Sequence, residues 1–387
     1  MRIKLILVGG VVLAAGAGAA FAFISTPSSG SAEIVKKCAA DARGAQTCYE
    51  KEVPKLYPKK SIPEILQIVR EIRREDLSYQ FCHVLAHKLG ENAVAEDPSR
   101  WLDLIPLNPS DGLCSNGFIH GVIVGRFRND VLDDATLQKT IPDFEKACEP
   151  REGWNASRLD QAICYHGLGH LFMFITNADI PRALSVCDIV GKSPTGDFMR
   201  VCREGVFMQI YQPLEPDDFA LIDLLPEKPS AENYRRLCAA YASNGEEGAC
   251  LREAWPLFRD GIRSGTEVGA FCARQPDAAE EEACYETAAS IVGRTSLGKS
   301  DTAVAACQHF PKTRQKLCFI ALAQSALEED RTNAHGALDL CRAADDAVAK
   351  ECLATLAHRV SFIFASGSPE KTQFCAALLK ESDARCE

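Results

Sequence analysis

Five of the eight histidines fall between residues 83 and 170, and each of the five follows a cysteine by six residues or fewer. Three segments share the pattern C-x2-G-x2-[H/M]: Cys114-Ser115-Asn116-Gly117-Phe118-Ile119-His120, Cys164-Tyr165-His166-Gly167-Leu168-Gly169-His170 and Cys202-Arg203-Glu204-Gly205-Val206-Phe207-Met208. Residues four apart share one side of a helix. The pattern therefore predicts three facing pairs, Asn116 with His120, His166 with His170 and Glu204 with Met208, while His83 and His87 form a fourth pair at the same spacing. Imidazoles brought inward from several helices can surround a transition metal ion. The candidate ligands are His83, His87, His120, His166 and His170, with Glu204 and Met208 beside them. A thioether from Met208 favours copper, and a carboxylate from Glu204 or Glu91 suits zinc, iron or manganese. The expected cofactor is thus a transition metal ion, ranked copper, zinc, iron. Asn116 reads as a capping or supporting group.

The plainer reading is that these histidines satisfy buried polar networks, and His358 argues for caution. It follows Cys352 by six residues, the offset of His120 and His170, in a segment with no other candidate ligand. Two H-x3-H pairs in one stretch of the chain favour the metal reading over chance. Bis-histidine haem ligation or direct catalysis stays open as a lesser alternative. No C-x-x-C-H occurs, which excludes covalently attached c-type haem. Nor is there a nucleophile elbow, Walker loop, dinucleotide fingerprint or H-E-x-x-H, which weighs against familiar hydrolase, kinase and dehydrogenase classes. Whether the protein is an enzyme is not legible: a metalloenzyme needs an open coordination position and a base, and the residues show neither.

The elements that must hold these side chains are announced by the cysteines. The 18 thiols fall into nine consecutive pairs: Cys38/Cys48, Cys82/Cys114, Cys148/Cys164, Cys187/Cys202, Cys238/Cys250, Cys272/Cys284, Cys307/Cys318, Cys341/Cys352 and Cys375/Cys386. An even count of this kind reads as a disulfide framework in an oxidising compartment. The last five pairs recur with a period of 34 or 35 residues, the mark of an array. The second cysteine of a late pair opens an apolar i, i+4, i+8 stripe, as in Cys284, Ala288 and Val292, Cys318, Leu322 and Ala326, or Cys352, Leu356 and Val360, which is one face of a helix. The stretches inside the pairs are polar and turn-like. Each pair should join the end of one helix to the start of its antiparallel partner. The expected fold is all-α: an α-solenoid of antiparallel helical hairpins with one disulfide per hairpin, its N-terminal half irregular.

This layout resembles tetratricopeptide and Sel1-like repeat proteins, most closely the cysteine-rich Sel1-like proteins of bacterial periplasms. The likeness covers residues 226–387 and rests on period, helix-turn-helix layout and paired cysteines. The aromatic and glycine positions of the tetratricopeptide pattern are absent. The resemblance implies a curved solenoid of disulfide-clipped helix pairs.

The remaining organisation follows from composition. Residues 5–24 carry no charge and follow Arg2 and Lys4, the form of a signal peptide or an N-terminal membrane anchor. Residues 25–60 read as a leader and a short disulfide hairpin, 61–212 as a His/Cys-rich helical domain, 213–229 as a proline-rich linker and 230–387 as the repeat array. Ser61-Ile62-Pro63-Glu64 is a capping box, followed by an amphipathic run over residues 65–89. A net charge of -10 makes nucleic acid an unsuitable partner. The protein is expected to be exported, to the periplasm or the outer face of the cytoplasmic membrane, touching the membrane only through residues 5–24 if these are retained. Two functions fit: an exported metal-binding protein or metalloenzyme, or a metal-free scaffold whose array binds a protein, peptide or envelope glycan.

Overall fold

The computed structural model describes residues 29–41, 44–79, 81–242, 245–296, 300–382 and 384–386. The expected signal or anchor, residues 1–24, lies outside them, as does the start of the leader at 25–28. Among the described residues the chain is almost wholly helical. Strand is confined to the two-residue pairing of Lys192–Ser193 with Gly196–Asp197. No helix of the described residues is long and apolar enough to cross a membrane.

The cysteines bond as consecutive partners: Cys38–Cys48, Cys82–Cys114, Cys148–Cys164, Cys187–Cys202, Cys238–Cys250, Cys272–Cys284, Cys307–Cys318, Cys341–Cys352 and Cys375–Cys386, with no described cysteine free. The expected place of the second cysteine, at the helix start, needs correction. Cys48, Cys250 and Cys318 are each the fourth residue of their helices, Ala45–Glu52, Glu247–Glu253 and Gln315–Glu329. A first turn of helix precedes the sulfur, which then faces back to the end of the helix before it. The stripe expected after the second cysteine is also not general. In the array, the helix holding Cys250 ends at Glu253, too soon for a residue at i+8. After Cys318, Leu322 is fully buried and Ala326 only partly so.

The hairpin unit follows from local chemistry. Helix Ala334–Arg342 ends in a short turn, Asp345 then accepts a hydrogen bond from Val348 N–H, and helix Asp346–Ile363 follows, its Cys352 bonded back to Cys341. An N-cap aspartate satisfies otherwise orphaned amides, and closing an 11-residue loop contributes about 3 kcal/mol in the chain-entropy account. The second helix buries Cys352, Leu353, Leu356, Ala357, Val360 and Ile363, the expected face. The last pair departs from the pattern: Cys386 ties helix Pro369–Glu381 to the coil after it, not to a second helix.

The Ser61 capping box forms, with Glu64 accepting from Ser61 N–H at 2.8 Å. Helix Ile62–Glu75 then buries Ile65, Leu66, Ile68, Val69 and Ile72. The run over 65–89 is nevertheless two helices. Asp76 caps a turn by accepting from Ser78 N–H, and a new helix spans His83–Glu96.

The second helices of successive hairpins pack side by side. In order they are His83–Glu96, Gly117–Phe127, Arg158–Ile175, Met199–Tyr211, Glu247–Glu253, Ala278–Thr295, Gln315–Glu329 and Asp346–Ile363. The series then returns on itself, because Asp346–Ile363 lies against Arg158–Ile175. A buried clasp secures the return. Arg331, 1 % exposed, donates to Asp160 Oδ1 at 2.8 Å and to the Ser110 carbonyl at 2.7 Å.

The stretch 213–229 is no bare linker. Helix Pro216–Ile222 sits inside it, started by a Glu215/Asp218 capping box, and Leu221 is buried in a core that runs from Cys38 to Ala254. A second core spans Ile262 to Leu378 and takes in Leu159 from the earlier half.

Candidate metal centre

Three neighbouring helices, His83–Glu96, Gly117–Phe127 and Arg158–Ile175, deliver the five imidazoles to one cleft, and Met199–Tyr211 lies beside the third. Ring centroids link in series: His87 to His83 at 6.3 Å, His83 to His120 at 5.3 Å, His120 to His170 at 5.7 Å and His170 to His166 at 4.9 Å, with His120 to His166 at 6.2 Å. For imidazoles bound through nitrogen at about 2.0–2.1 Å to a tetrahedral ion, ring centroids fall about 5 Å apart. In the quartet of His83, His120, His166 and His170 four ring pairs lie 4.9 to 6.2 Å apart, at or somewhat beyond that spacing, and among the described residues no three of its donor atoms gather within 4.8 Å of one another.

Glycine makes the approach possible. A Cβ on Gly121 would run into the His87 carbonyl, and one on Gly205 into the His166 carbonyl, so each of these helices lies with its backbone against its predecessor. At Gly167 the space is filled by the His120 ring itself, whose Cδ2 lies 2.5 Å from where a Cβ would stand. At these glycines the close approach is thus made by neighbouring helices and by a histidine.

Four of the rings also have one nitrogen engaged. His120 Nε2–H donates to the Ile163 carbonyl at 3.1 Å. His170 Nδ1–H donates to Gln209 Oε1 at 2.7 Å, and the Gln209 amide donates to Asp218 Oδ1 at 2.7 Å, which settles which amide atom faces the ring. His83 bonds to the Cys114 backbone and His166 to the Val201 backbone. His87 Nδ1 stands 3.2 Å from both Glu91 Oε1 and Glu215 Oε2. An acceptor on one nitrogen fixes the tautomer and leaves a lone pair on the other, the arrangement that supports metal-bound histidine. Burial and the neighbouring imidazoles push His83 down to about 4 and hold His120 and His170 well below the ordinary histidine value, while burial and the charge of Arg294 lower His166.

Met208 lies where the sequence places it, its sulfur 3.1 Å from His166 Nε2. Two donors on one ion stand about 3.0–3.5 Å apart at ordinary bond lengths, so the pair has the separation of co-ligands. Glu204 is differently employed. Its Oε1 takes Arg252 Nη2 at 2.7 Å and Arg200 Nε at 3.2 Å. Burial opposes its ionisation, but these arginines outweigh that and hold the carboxyl below its usual range. Asn116 is not on a helix with His120. Cys114, Ser115 and Asn116 all have positive φ, and the helix starts only at Gly117. Asn116 accepts from Asn108 Nδ2 at 2.6 Å and so braces the turn whose backbone holds His83. His358 is exposed.

His87, Glu91 and Glu215 gather three donor atoms within 4.8 Å of one another, a set small enough for an ion. Arg128 already supplies a cation there: it pairs with Glu91, reaches Glu215 Oε2 at 3.5 Å and holds Asp217 at 2.6 Å. The two carboxylates are therefore better read as the acceptors that orient His87. Glu215, Asp218 and Gln209 are functional candidates that pattern reading missed. The signal available was acidic Glu215-Pro216-Asp217-Asp218, a helix start in a segment read as a linker. Comparison with family models, with curated proteins and with solved structures finds no match to this chain.

Proposed function

We propose that the protein is an exported transition-metal-binding protein. His83, His120, His166 and His170 are its principal ligands, Met208 is a soft donor at one end and His87 a flanking imidazole. The observation that carries this reading is that four buried rings, His83, His120, His166 and His170, each spend one nitrogen on an acceptor in the protein, which leaves the other nitrogen of each available as a donor along one cleft. With every described cysteine in a disulfide, nitrogen, thioether and carboxylate are the donors on offer. The Met208 contact places copper first, then zinc, then iron. When bound, such an ion supplies Lewis acidity or, for copper and iron, electron transfer. The chain's own part is to present neutral imidazoles in fixed orientation.

Nine disulfides support an oxidising compartment, and with it the periplasm or the outer face of the cytoplasmic membrane. We read the clipped hairpins as a repeat architecture of the tetratricopeptide or Sel1-like kind, an α-solenoid whose turns come back into contact. The test is metal analysis of oxidatively folded protein after exhaustive dialysis. About one equivalent or more of copper, zinc or iron per chain is expected, and protein that takes up none of the three from buffered solutions overturns the reading.

A further inference from the structure

The charge of the chain is unevenly placed. Residues 29–60 carry seven basic side chains against four acidic ones, so the chain beyond residue 60 holds more than the whole acidic excess of -10. Only Ser25-Thr26-Pro27-Ser28 separates this basic stretch from the uncharged segment 5–24. A positive end on an otherwise acidic chain suits a partner that is itself anionic.

The fold gathers part of that charge around an apolar groove. Helix Ser29–Cys38 is clipped to helix Ala45–Glu52 by Cys38–Cys48 and packs against helix Ile62–Glu75, while the short turn Pro54–Leu56 follows the second helix. A groove of about 370 Å³ among these elements takes its apolar lining from Ile34, Leu56 and Ile68 and its cations from Lys37, Lys55 and Lys60. Ile34 and Leu56 rest on the core and are only half-buried. Lys37 and Lys55, with side chains 60 % and 56 % exposed, share a single carboxylate, Glu52, at 2.7 and 2.8 Å. Glu33 is the other acid of the lining, so ammonium groups outnumber carboxylates there. Ammonium groups around an apolar depression match the layering of a phospholipid surface: phosphates meet the lysines, and the ester and upper acyl region meets Ile34 and Leu56.

We propose that this face docks on an anionic phospholipid bilayer through Lys37, Lys55 and Lys60, a contact beyond the one expected of residues 5–24. The inference makes no use of the metal reading. It holds whether the apolar segment is retained or removed, because the groove is built from residues 30–68 alone.

The test is lysine footprinting of the full oxidised chain with a membrane-impermeant acylating reagent, read residue by residue by mass spectrometry. The chain is mixed with vesicles of phosphatidylcholine alone or with about one third phosphatidylglycerol. Attachment through residues 5–24 acts equally in both, so the difference between the two vesicle types reports the groove. Lys37, Lys55 and Lys60 should be acylated about fivefold more slowly on the anionic vesicles, the effect expected of a lysine at such a surface. Exposed Lys350, in the array, should react alike on both. Sodium chloride at about 0.5 M should return Lys37 to its rate on neutral vesicles, since screening then acts over a few ångströms. K55E/K60E should do the same at low salt, and if that variant does not fold, K60E alone should at least halve the protection. Equal rates at the groove lysines on both vesicle types, or protection indifferent to salt and to the variants, overturns the inference.

Discussion

The three helices that carry the histidines, with Met199–Tyr211 beside them, and the three long second helices at the C-terminal end are all clipped by disulfides, yet they pack by different means. In the first region glycine stands three residues after the second cysteine, at Gly117, Gly167 and Gly205, and brings helix backbones and rings into direct contact. In the second the same position holds Thr287, Ala321 and Thr355, and the interfaces are filled by side chains such as Ala288, Leu322 and Leu356. A regular hydrophobic filling gives a regular period. The irregular half gives up that regularity to hold polar rings close together, and it uses a strained turn and a buried helix cap to do so.

The sharpest way to break this contrast is to remove ligands from each side of it. His166→Ala with His170→Ala should abolish stoichiometric metal binding, read by elemental analysis, with helical content retained. His358→Ala should leave the metal untouched, and equal loss from both would erase the distinction. Next in size is the packing itself. Gly121→Ala should cost about 2–3 kcal/mol in denaturant unfolding, since the obstructing atom is the His87 carbonyl and backbone cannot swing away. Thr355→Ala in the array should change stability by about 0.5 kcal/mol or less.

Disulfide removal sharpens the comparison further. In the chain-entropy account the Cys82–Cys114 loop of 32 residues is worth about 4 kcal/mol and the Cys341–Cys352 loop of 11 about 3 kcal/mol. Replacing both cysteines of the first pair should also release the left-handed turn at 114–116 and weaken metal retention. Replacing the second pair should lower stability alone. A further effect, smaller than that of either disulfide, concerns pH. Glu253 has its folded carboxyl raised to about 8, so its contribution is present below the unfolded value near 4.5 and is lost as pH rises toward 8. Glu253→Gln should flatten that slope, with a gain on the order of 2 kcal/mol at alkaline pH, read from unfolding midpoints across pH.

What could be read from the sequence was whatever leaves a local signature. The cysteine spacing announced the pairing, the Ser61 box announced a helix start, and the i, i+4 histidines announced a shared face. Spacing did not say where in its helix a cysteine falls, because the turn ahead of Cys48, Cys250 or Cys318 carries no clear start signal: none of the three helices has a side-chain cap. Contacts between residues distant in the chain leave no trace at all. The Arg331 clasp on Asp160 spans 171 residues, and the carboxylate that orients His87 comes from Glu215 in a stretch that reads as a linker. Glu204 looked like a ligand because nothing near it in sequence shows that Arg252 will take its oxygen. The positive φ values of Cys114, Ser115 and Asn116 likewise run against their residue types, and the turn persists because a disulfide and the Asn108 bond hold it.

X-ray absorption at the metal edge of the oxidised, metal-loaded protein tests the central claim most directly. The account predicts three to four nitrogen scatterers at about 2.0 Å with the multiple scattering of imidazole, and at most one sulfur, the thioether of Met208. A shell of two or more sulfurs at about 2.3 Å, or one of oxygens without imidazole, would contradict it.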